Sequence, residues 1–221
     1  MRRRLGVLLA LGLLVSGCSY SVDDIQTTGR FRAEVWADNW FSFSLGERAV
    51  FEDSVPIATE RSFNKEVFGF DGDFPLVLNF VVKDYKADDS GLEYIGTRRQ
   101  QMGDGGFIAQ IKDTRTGKYM AVTNSTWKCL VSHRAPLDAS CEKSANPKAD
   151  CTATIGTEPE GWKAADFDTT AWPTAIEYSA AVVDAKMGYD EVAWDESAKL
   201  IWSSSLNQDN TLLCKLVVAE P

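Results

Sequence analysis

The chain has 221 residues, with 23 Lys and Arg against 32 Asp and Glu, a formal charge of -9 and a sequence pI near 4.7. This charge excludes a general nucleic-acid binder, whose affinity comes largely from cationic side chains, and the 11% aromatic content excludes an extended disordered chain. The single histidine, His133, excludes a multi-histidine metal site and leaves any Ser-His-Asp catalytic set to depend on one residue.

The first 18 residues have the three parts of a secretory signal peptide. A basic flank (residues 2–4) and an apolar run (residues 5–15) precede the small-residue site Ser16-Gly17-Cys18, and the run is too short to span a bilayer. The Val-Ser-Gly-Cys ending resembles the lipobox of bacterial lipoproteins. This resemblance implies cleavage after residue 17, acylation of Cys18 and a polar tether over residues 18–30. The alternative is an ordinary secreted protein with an incidental cysteine.

The residues around this site also predict a location. In lipoproteins of two-membrane bacteria, a Ser such as Ser19 after the cysteine resembles a signal for transfer to the outer membrane, where the chain would face the periplasm or the cell surface. Cleavage would remove three basic and no acidic residues, leaving 20 basic against 32 acidic side chains and a formal charge of -12. Anionic headgroups repel such a chain, so we expect the lipid to hold it at the membrane.

Strand patterns recur through the rest of the chain, and no stretch of ten or more residues keeps a helical apolar stripe between caps. Apolar residues alternate with others in four segments: Phe41, Phe43 and Leu45; Leu76, Leu78, Phe80 and Val82; Phe107, Ala109 and Ile111; Leu212, Cys214, Leu216 and Val218. Turn clusters separate strands, at residues 71–73, 88–91 and 116–117. The sequence therefore predicts a mainly β fold, an antiparallel two-sheet β-sandwich.

Four cysteines remain besides Cys18, an even number in an oxidising compartment, and they predict two disulfides among three possible pairings. Cys141 and Cys151 flank a polar, Pro-containing loop, so we expect a local pair. Cys129 and Cys214 lie in apolar strand-like runs, so we expect them to pair across the core. A metal site is the alternative, but the chain has no C-x2-C spacing.

The only long irregular stretch is residues 138–160. It could separate two domains, but neither flank obviously closes a core alone, and we interpret it as a disulfide-closed surface loop within a single domain over residues 31–221.

Two stretches carry a family resemblance: Gly161-Trp162, Phe167-Asp168, Trp172 to Ala175 and Ile201-Trp202; and Ala37-Asp38-Asn39 with Phe43 and Gly46. They resemble galactose-binding-like jelly-roll modules, which accompany many glycoside hydrolases and surface proteins. The resemblance implies a jelly roll and sugar binding. The stretches occur in reversed order, which a circular permutation would explain, and Thr169 and Leu45 depart from the pattern. Chance similarity in a different jelly roll is the alternative.

The first candidate ligand site follows from what sugars need, which is flat aromatic faces flanked by polar groups. Trp36, Asp38, Asn39 and Trp40 match best, because strand alternation would place the two Trp rings on one face and Phe41 and Phe43 on the other. The alternative is that a loop covers Trp40 and that Asp38-Asn39 only makes a turn.

The second candidate lies in the Gly-punctuated stretch from Tyr94 to Phe107, where Tyr94, Arg98, Arg99 and Gln100 are close in sequence. Arg suits bidentate recognition of carboxylates, including uronic acids. The alternative is an ordinary strand and loop whose Arg side chains pair with nearby acids.

Two further expectations concern cofactors and catalysis. No cofactor is expected beyond a possible structural calcium ion, for which acidic side chains supply oxygen ligands: Asp71, Asp73, Asp84, Asp88, Asp89, Asp166 and Asp168. The alternative is that these acids are simply solvated. No nucleophile-elbow pattern surrounds His133, which we expect in an exposed loop.

The leading functional hypothesis is therefore a lipid-anchored, non-catalytic module of the cell envelope that binds carbohydrate. The second is an adaptor or assembly subunit that docks a protein partner at the outer membrane. A hydrolase is the third, because paired carboxylates could cleave glycosides, although the sequence identifies no such pair.

Overall fold

The structure of the protein is a computed structural model, and it describes residues 28–57 and 64–221. The predicted signal peptide, the acylated Cys18 and the tether as far as residue 27 lie outside the described residues.

Strands dominate the described chain. In chain order they are β1 (Phe31–Asp38), β2 (Trp40–Leu45), β3 (Arg48–Glu52), β4 (Lys65–Phe70), β5 (Leu76–Lys83), β6 (Leu92–Glu93), β7 (Gln101–Met102), β8 (Gly106–Asp113), β9 (Tyr119–Val122), β10 (Lys128–Arg134), β11 (Thr154–Ile155), β12 (Ile176–Tyr178), β13 (Leu200–Trp202) and β14 (Asp209–Val218). The α-helices of the described residues, α1 (Pro147–Asp150) and α2 (Ala180–Val183), have four residues each, and 3-10 turns span Ala139–Lys143 and Tyr189–Glu191.

The strands form two sheets and a short ribbon. The first sheet has the order β12-β13-β8-β1-β4, with β9 also paired to β8, and the second has the order β11-β10-β14-β5-β2-β3. Strands β6 and β7 pair only with each other among the described residues. All of these pairings are antiparallel. The predicted fold class, a mainly β antiparallel two-sheet sandwich, is confirmed.

Aromatic side chains fill the space between the sheets. The predicted inward faces of β2, β5, β8 and β14 are confirmed, because their alternating apolar residues join one buried cluster. Its largest members come from both sheets: Phe31, Phe41, Phe43, Phe68, Phe70, Phe80, Phe107, Trp127 and Trp202.

The outer face of each sheet is also covered, by irregular chain between β11 and β13. Residues 158–175, which we name the second-sheet cover, pack Trp162 and Trp172 against Val81 and Leu213. Residues 180–199, the first-sheet cover, pack Val183 and other apolar side chains against Trp36 and Ile108. This double burial explains why β5 is buried along nearly its whole length rather than alternating between core and solvent.

Both predicted disulfides are present. Cys141 and Cys151 close the irregular loop locally, as expected. Cys129 and Cys214 are also bonded, but the expectation that they cross the core was wrong in its geometry, because they lie directly opposite each other on the neighbouring strands β10 and β14. The pattern of apolar residues could not show which two strands would be adjacent.

Candidate functional site

Trp36 and Trp40, the two aromatic residues of the first candidate site, lie in different sheets. The chain turns a corner at Asn39, so Trp36 ends up in the first sheet and Trp40 in the second. Phe41 and Phe43 face the core as expected. The expectation that Trp36 and Trp40 share a face was wrong, because strand alternation does not continue through a corner at which the strand changes sheets.

Trp36 has no exposed surface, since the first-sheet cover lies over it. Its indole Nε1 donates a hydrogen bond to the Met187 carbonyl at 3.0 Å, and its ring meets that of Tyr189 with 5.8 Å between centroids. Trp40 is half-buried against the second-sheet cover, and the Lys83 ammonium lies 4.6 Å from its ring centroid. Of the two rings, only Trp40 retains contact with solvent.

Asp38 and Asn39 are both buried at the corner. The Asn39 amide N–H donates to the Lys83 carbonyl at 2.7 Å, and the Asn39 Oδ1 accepts a hydrogen bond from the Tyr85 amide. Asn39 therefore fixes the backbone that leaves β5. Burial raises the pKa of Asp38 well above its usual value, and the nearby charges of Asp104 and Glu93 add to this effect.

Asp38 belongs to a group of buried acids at this end of the sandwich. Asp84 is 1% exposed, and neither of its carboxylate oxygens has a hydrogen-bond partner among the described residues. Burial is the main cause that raises its pKa well above the ordinary value, and the negative charges of Asp38, Glu93 and Asp104 raise it further. The carboxylate lies against Gly103, where an added Cβ would be only 1.9 Å from Asp84 Oδ2.

The Tyr94 to Gln100 stretch forms the tip of the β6–β7 ribbon. The structure brings Tyr94 and Arg99 together, with the guanidinium carbon 3.9 Å from the ring centroid. The Gln100 side-chain amide donates to the carbonyls of Glu142 and Ser144, at 2.8 Å each, and so ties the tip to the disulfide-closed loop. Arg98 is exposed to solvent. Gln100 thus has a structural role, because it holds the ribbon tip against the disulfide-closed loop, whereas the Arg98 and Arg99 side chains remain at the surface.

A cavity of about 600 Å³ opens beside the end of the second sheet, and we name it the His133 pocket. The end of β5 and the turn after it supply one side, with Lys83, Tyr85, Lys86 and Asp89. Strands β10, β11 and β14 supply the other, through Ser132, His133, Ile155 and Thr211. The buried Asp84 also reaches the lining, and the remaining members are Ile57, Ala87, Gly156 and Glu158. Its volume falls within the range of ordinary ligand sites.

His133 is buried in β10, so the expectation of an exposed loop was wrong. The residue is 5% exposed and lies at an irregularity in the pairing of β10 with β14, where the register shifts on both sides of it. Such a bulge redirects a side chain, and the sequence gives no sign of it. Burial, together with the charge of Lys86, lowers the pKa of His133.

The charges of the pocket are held in pairs. The Lys86 ammonium is 2.7 Å from Asp89 Oδ1, and the His133 Nε2 is 3.7 Å from the same oxygen. The Lys86 hydrogen bond lowers the pKa of Asp89, which keeps that carboxylate ionised. Glu158, the first residue of the second-sheet cover, accepts a hydrogen bond from Trp162 Nε1 at 3.0 Å, so the cover supplies part of the pocket lining.

Sequence reasoning missed this pocket almost entirely. Of the eight predicted ligand-binding residues, none lines it, although Trp40 supports Lys83 and Asn39 supports Tyr85. The available signal was the turn at residues 88–91 together with a histidine inside an apolar run. Their proximity depends on the order of strands in the second sheet, which the sequence does not state.

The structure does not assemble the acids that were expected to bind calcium. Asp71 and Asp73 lie on either side of Gly72 between β4 and β5, Asp84 and Asp89 line the His133 pocket, Asp88 lies next to Asp89, and Asp166 and Asp168 lie in the second-sheet cover. Within residues 28–57 and 64–221, no three His, Cys, Asp or Glu side chains group closely enough to hold a metal ion. The possible structural calcium ion therefore stays a prediction.

Comparisons with known proteins do not assign the chain to a family. No family model matches the chain, and neither a curated protein nor a solved structure does. None of the helices in the described part of the chain has the length and apolar character that crossing a membrane requires.

Proposed function

We propose that this protein is a lipid-anchored, non-catalytic module of the bacterial cell envelope that binds carbohydrate in the His133 pocket. The observation that carries the proposal is the composition of the pocket. Positively charged lysines and negatively charged carboxylates line a cavity of about 600 Å³ together with hydroxyl, aromatic and aliphatic side chains. A pyranose presents hydroxyl donors and acceptors around its ring and an apolar C–H face, and it matches this mixture.

Fixed polar groups favour a neutral, hydroxyl-rich ligand. Lys83 is held over Trp40, and Lys86 is paired with Asp89, so donors and an acceptor are already oriented before a ligand arrives. Preorganised groups of this kind lower the entropic cost of binding. Because the Lys86 and Asp89 charges cancel, the pocket has no large excess of positive charge that would require an anionic ligand.

The state of Asp89 supports binding rather than hydrolysis. A glycosidase needs one carboxylic acid that keeps its proton near neutral pH in order to protonate the leaving group. The Lys86 hydrogen bond instead lowers the pKa of Asp89, and burial lowers that of His133, so neither group is suited to donate a proton at neutral pH. Asp84 also lines the pocket and has a raised pKa, but it is only 1% exposed and offers a ligand little access.

Glycan-array binding tests the proposal. Lys83→Ala should lower affinity about tenfold or more, the loss expected for one charged hydrogen bond, and Trp40→Ala should act in the same direction by releasing Lys83. Lys112→Ala is the matched control, because the Lys112 ammonium also lies 4.6 Å from an aromatic centroid, that of Tyr119, but away from the pocket.

Two results would contradict the assignment. If Arg98→Ala abolishes binding and Lys83→Ala does not, the ligand binds at the tip of the β6–β7 ribbon instead. If the array is blank for the wild-type protein, carbohydrate binding itself is wrong.

Docking of an envelope protein is the second candidate function. Val182 and Met187 favour it, since these apolar side chains of the first-sheet cover are 59% and 60% exposed. A blank array, together with an envelope protein that co-purifies with the wild type but not with a Val182→Ser, Met187→Ser variant, would favour the adaptor.

A further inference from the structure

A second cavity adjoins the His133 pocket, and Asp89 lines both. This second cavity measures about 410 Å³ and is bordered by Asp88, Asp89, Ser90, Lys148, Cys151 and Ala153. The Asp89 side chain is 69% exposed where the two cavities meet, with Lys86 and His133 on the side of the first cavity. Lys148 approaches from the side of the second.

One extended stretch of backbone runs beside both cavities. Cys151 and Ala153 border the second cavity, and Ile155 borders the first. In extended chain, residues two apart point to the same side, so this spacing turns three alternate side chains toward the two adjoining cavities, which together we call the groove. The other wall is residues 83–90, which likewise contribute to both cavities.

The wall is fixed at both ends. The Cys141–Cys151 disulfide holds one end, and β11 pairs with β10 at the other through Thr154 and Ile155. Gln100 braces the same disulfide-closed loop from outside by its two hydrogen bonds. The groove therefore has a set direction and length in the folded protein, rather than forming only when a ligand arrives.

We propose that the two cavities are successive subsites for a single linear oligosaccharide, with Asp89 accepting hydrogen bonds from hydroxyl groups at their junction. The inference rests on the proposed function and adds the ligand class, a chain of several sugar units rather than one. Charged donors and acceptors recur along the groove, with Lys86 and Asp89 followed by Asp88 and Lys148. Such repetition suits a polymer whose every unit carries hydroxyls.

Calorimetric titration of the purified chain with sugars of increasing length tests the inference. The probes are glucose, galactose and N-acetylglucosamine, each as the monomer and as β-1,4-linked oligomers of two and four units. In the series that binds, we expect affinity to rise about tenfold or more from one unit to four. Lys148→Ala should remove most of that gain and leave monomer affinity unchanged. Lys118→Ala, an exposed lysine in the β8–β9 turn, should change neither.

The outcomes separate the inference from the function it rests on. Equal affinity for all lengths, or equal losses for monomer and tetramer in Lys148→Ala, would overturn the second subsite while leaving sugar binding intact. Ala153→Trp, which fills the second cavity, should likewise lower affinity only for the oligomers. Failure of every series to bind would overturn both proposals.

Discussion

Asp84 is a carboxylate that the fold buries without a hydrogen-bond partner among the described residues. Its pKa is raised well above 3.8, so between about pH 4 and its folded-state pKa the folded protein holds a proton that the unfolded chain releases. The free energy of unfolding contributed by this group therefore falls as pH rises through that window. The cost of burying this group therefore grows as the pH rises above about 4.

Asp84→Asn should raise the free energy of unfolding at pH 7 by about 1 to 3 kcal/mol, because it removes a buried group whose ionised form the fold disfavours and offers amide donors to the surrounding carboxylates. The advantage over wild type should shrink as pH falls toward 4. Urea unfolding between pH 4 and 7 measures both effects, and Asp190→Asn, an exposed aspartate, is the control. A variant that is less stable than wild type at pH 7 would contradict this reasoning.

The position of some side chains in the fold could be predicted from the neighbouring sequence, and that of others could not. Phe41 and Phe43 could be assigned to the core because alternation within one strand is a local property. Trp36 and Trp40 could not be placed, because the corner at Asn39 separates them into different sheets. His133 was missed for a related reason: a bulge in β10 turns its side chain, and no local pattern encodes the bulge.

At the scale of elements, the disulfides differ in the length of chain that they close. Cys129 and Cys214 are 85 residues apart, whereas Cys141 and Cys151 are ten apart. In the loop-entropy account, a bridge stabilises mainly by restricting the unfolded chain, and more so for a longer loop.

Removal of the Cys129–Cys214 bridge, by Cys129→Ala with Cys214→Ala, should lower the free energy of unfolding by about 4 to 5 kcal/mol. Replacing Cys141 and Cys151 by Ser should cost about 3 kcal/mol or less. Equilibrium urea unfolding at one pH compares the pairs. The reverse order of losses would show that the local loop contributes more than its length suggests.

Strands were predictable and the two covers were not. Period-two alternation in β2, β5, β8 and β14 follows from half-buried sheet geometry, which each segment expresses on its own. The second-sheet cover has no repeating pattern, and its Trp162 and Trp172 become buried only because Val81 and Leu213 present an apolar outer face. The cover and the pocket beside it therefore depend on long-range packing that a single sequence does not display.

At the scale of the whole molecule, the sandwich has four layers, with a cover on each sheet. Broad sheet faces are thus largely closed to ligands, and the groove lies at the end of the second sheet, where loops meet. The mature chain would carry a formal charge of -12, which opposes adsorption to anionic lipid. Under the proposed acylation of Cys18, the acyl chains rather than electrostatic attraction would hold the protein at a membrane.

Full-length protein expressed in a two-membrane bacterium should sediment with membranes and stay there in high salt, because burial of acyl chains contributes about 0.8 kcal/mol per CH2 and is not electrostatic. Cys18→Ser should appear in the soluble fraction, and Ser19→Ala should remain attached. Mass spectrometry of the N-terminal peptide checks the modification directly. An unmodified Cys18 thiol in the membrane fraction would refute the anchor.

The disulfide-closed loop has a consequence for how recognition could diversify. One wall of the groove belongs to a loop with its own covalent closure, joined to the sandwich mainly by the short β11 pairing and the Gln100 brace. The Phe-rich interior does not depend on which side chains occupy residues 152–156, which follow the disulfide-bonded Cys151. Under the proposed function, exchanging these five residues while keeping Cys151 should change which glycan the protein binds and leave the stability of the scaffold unchanged.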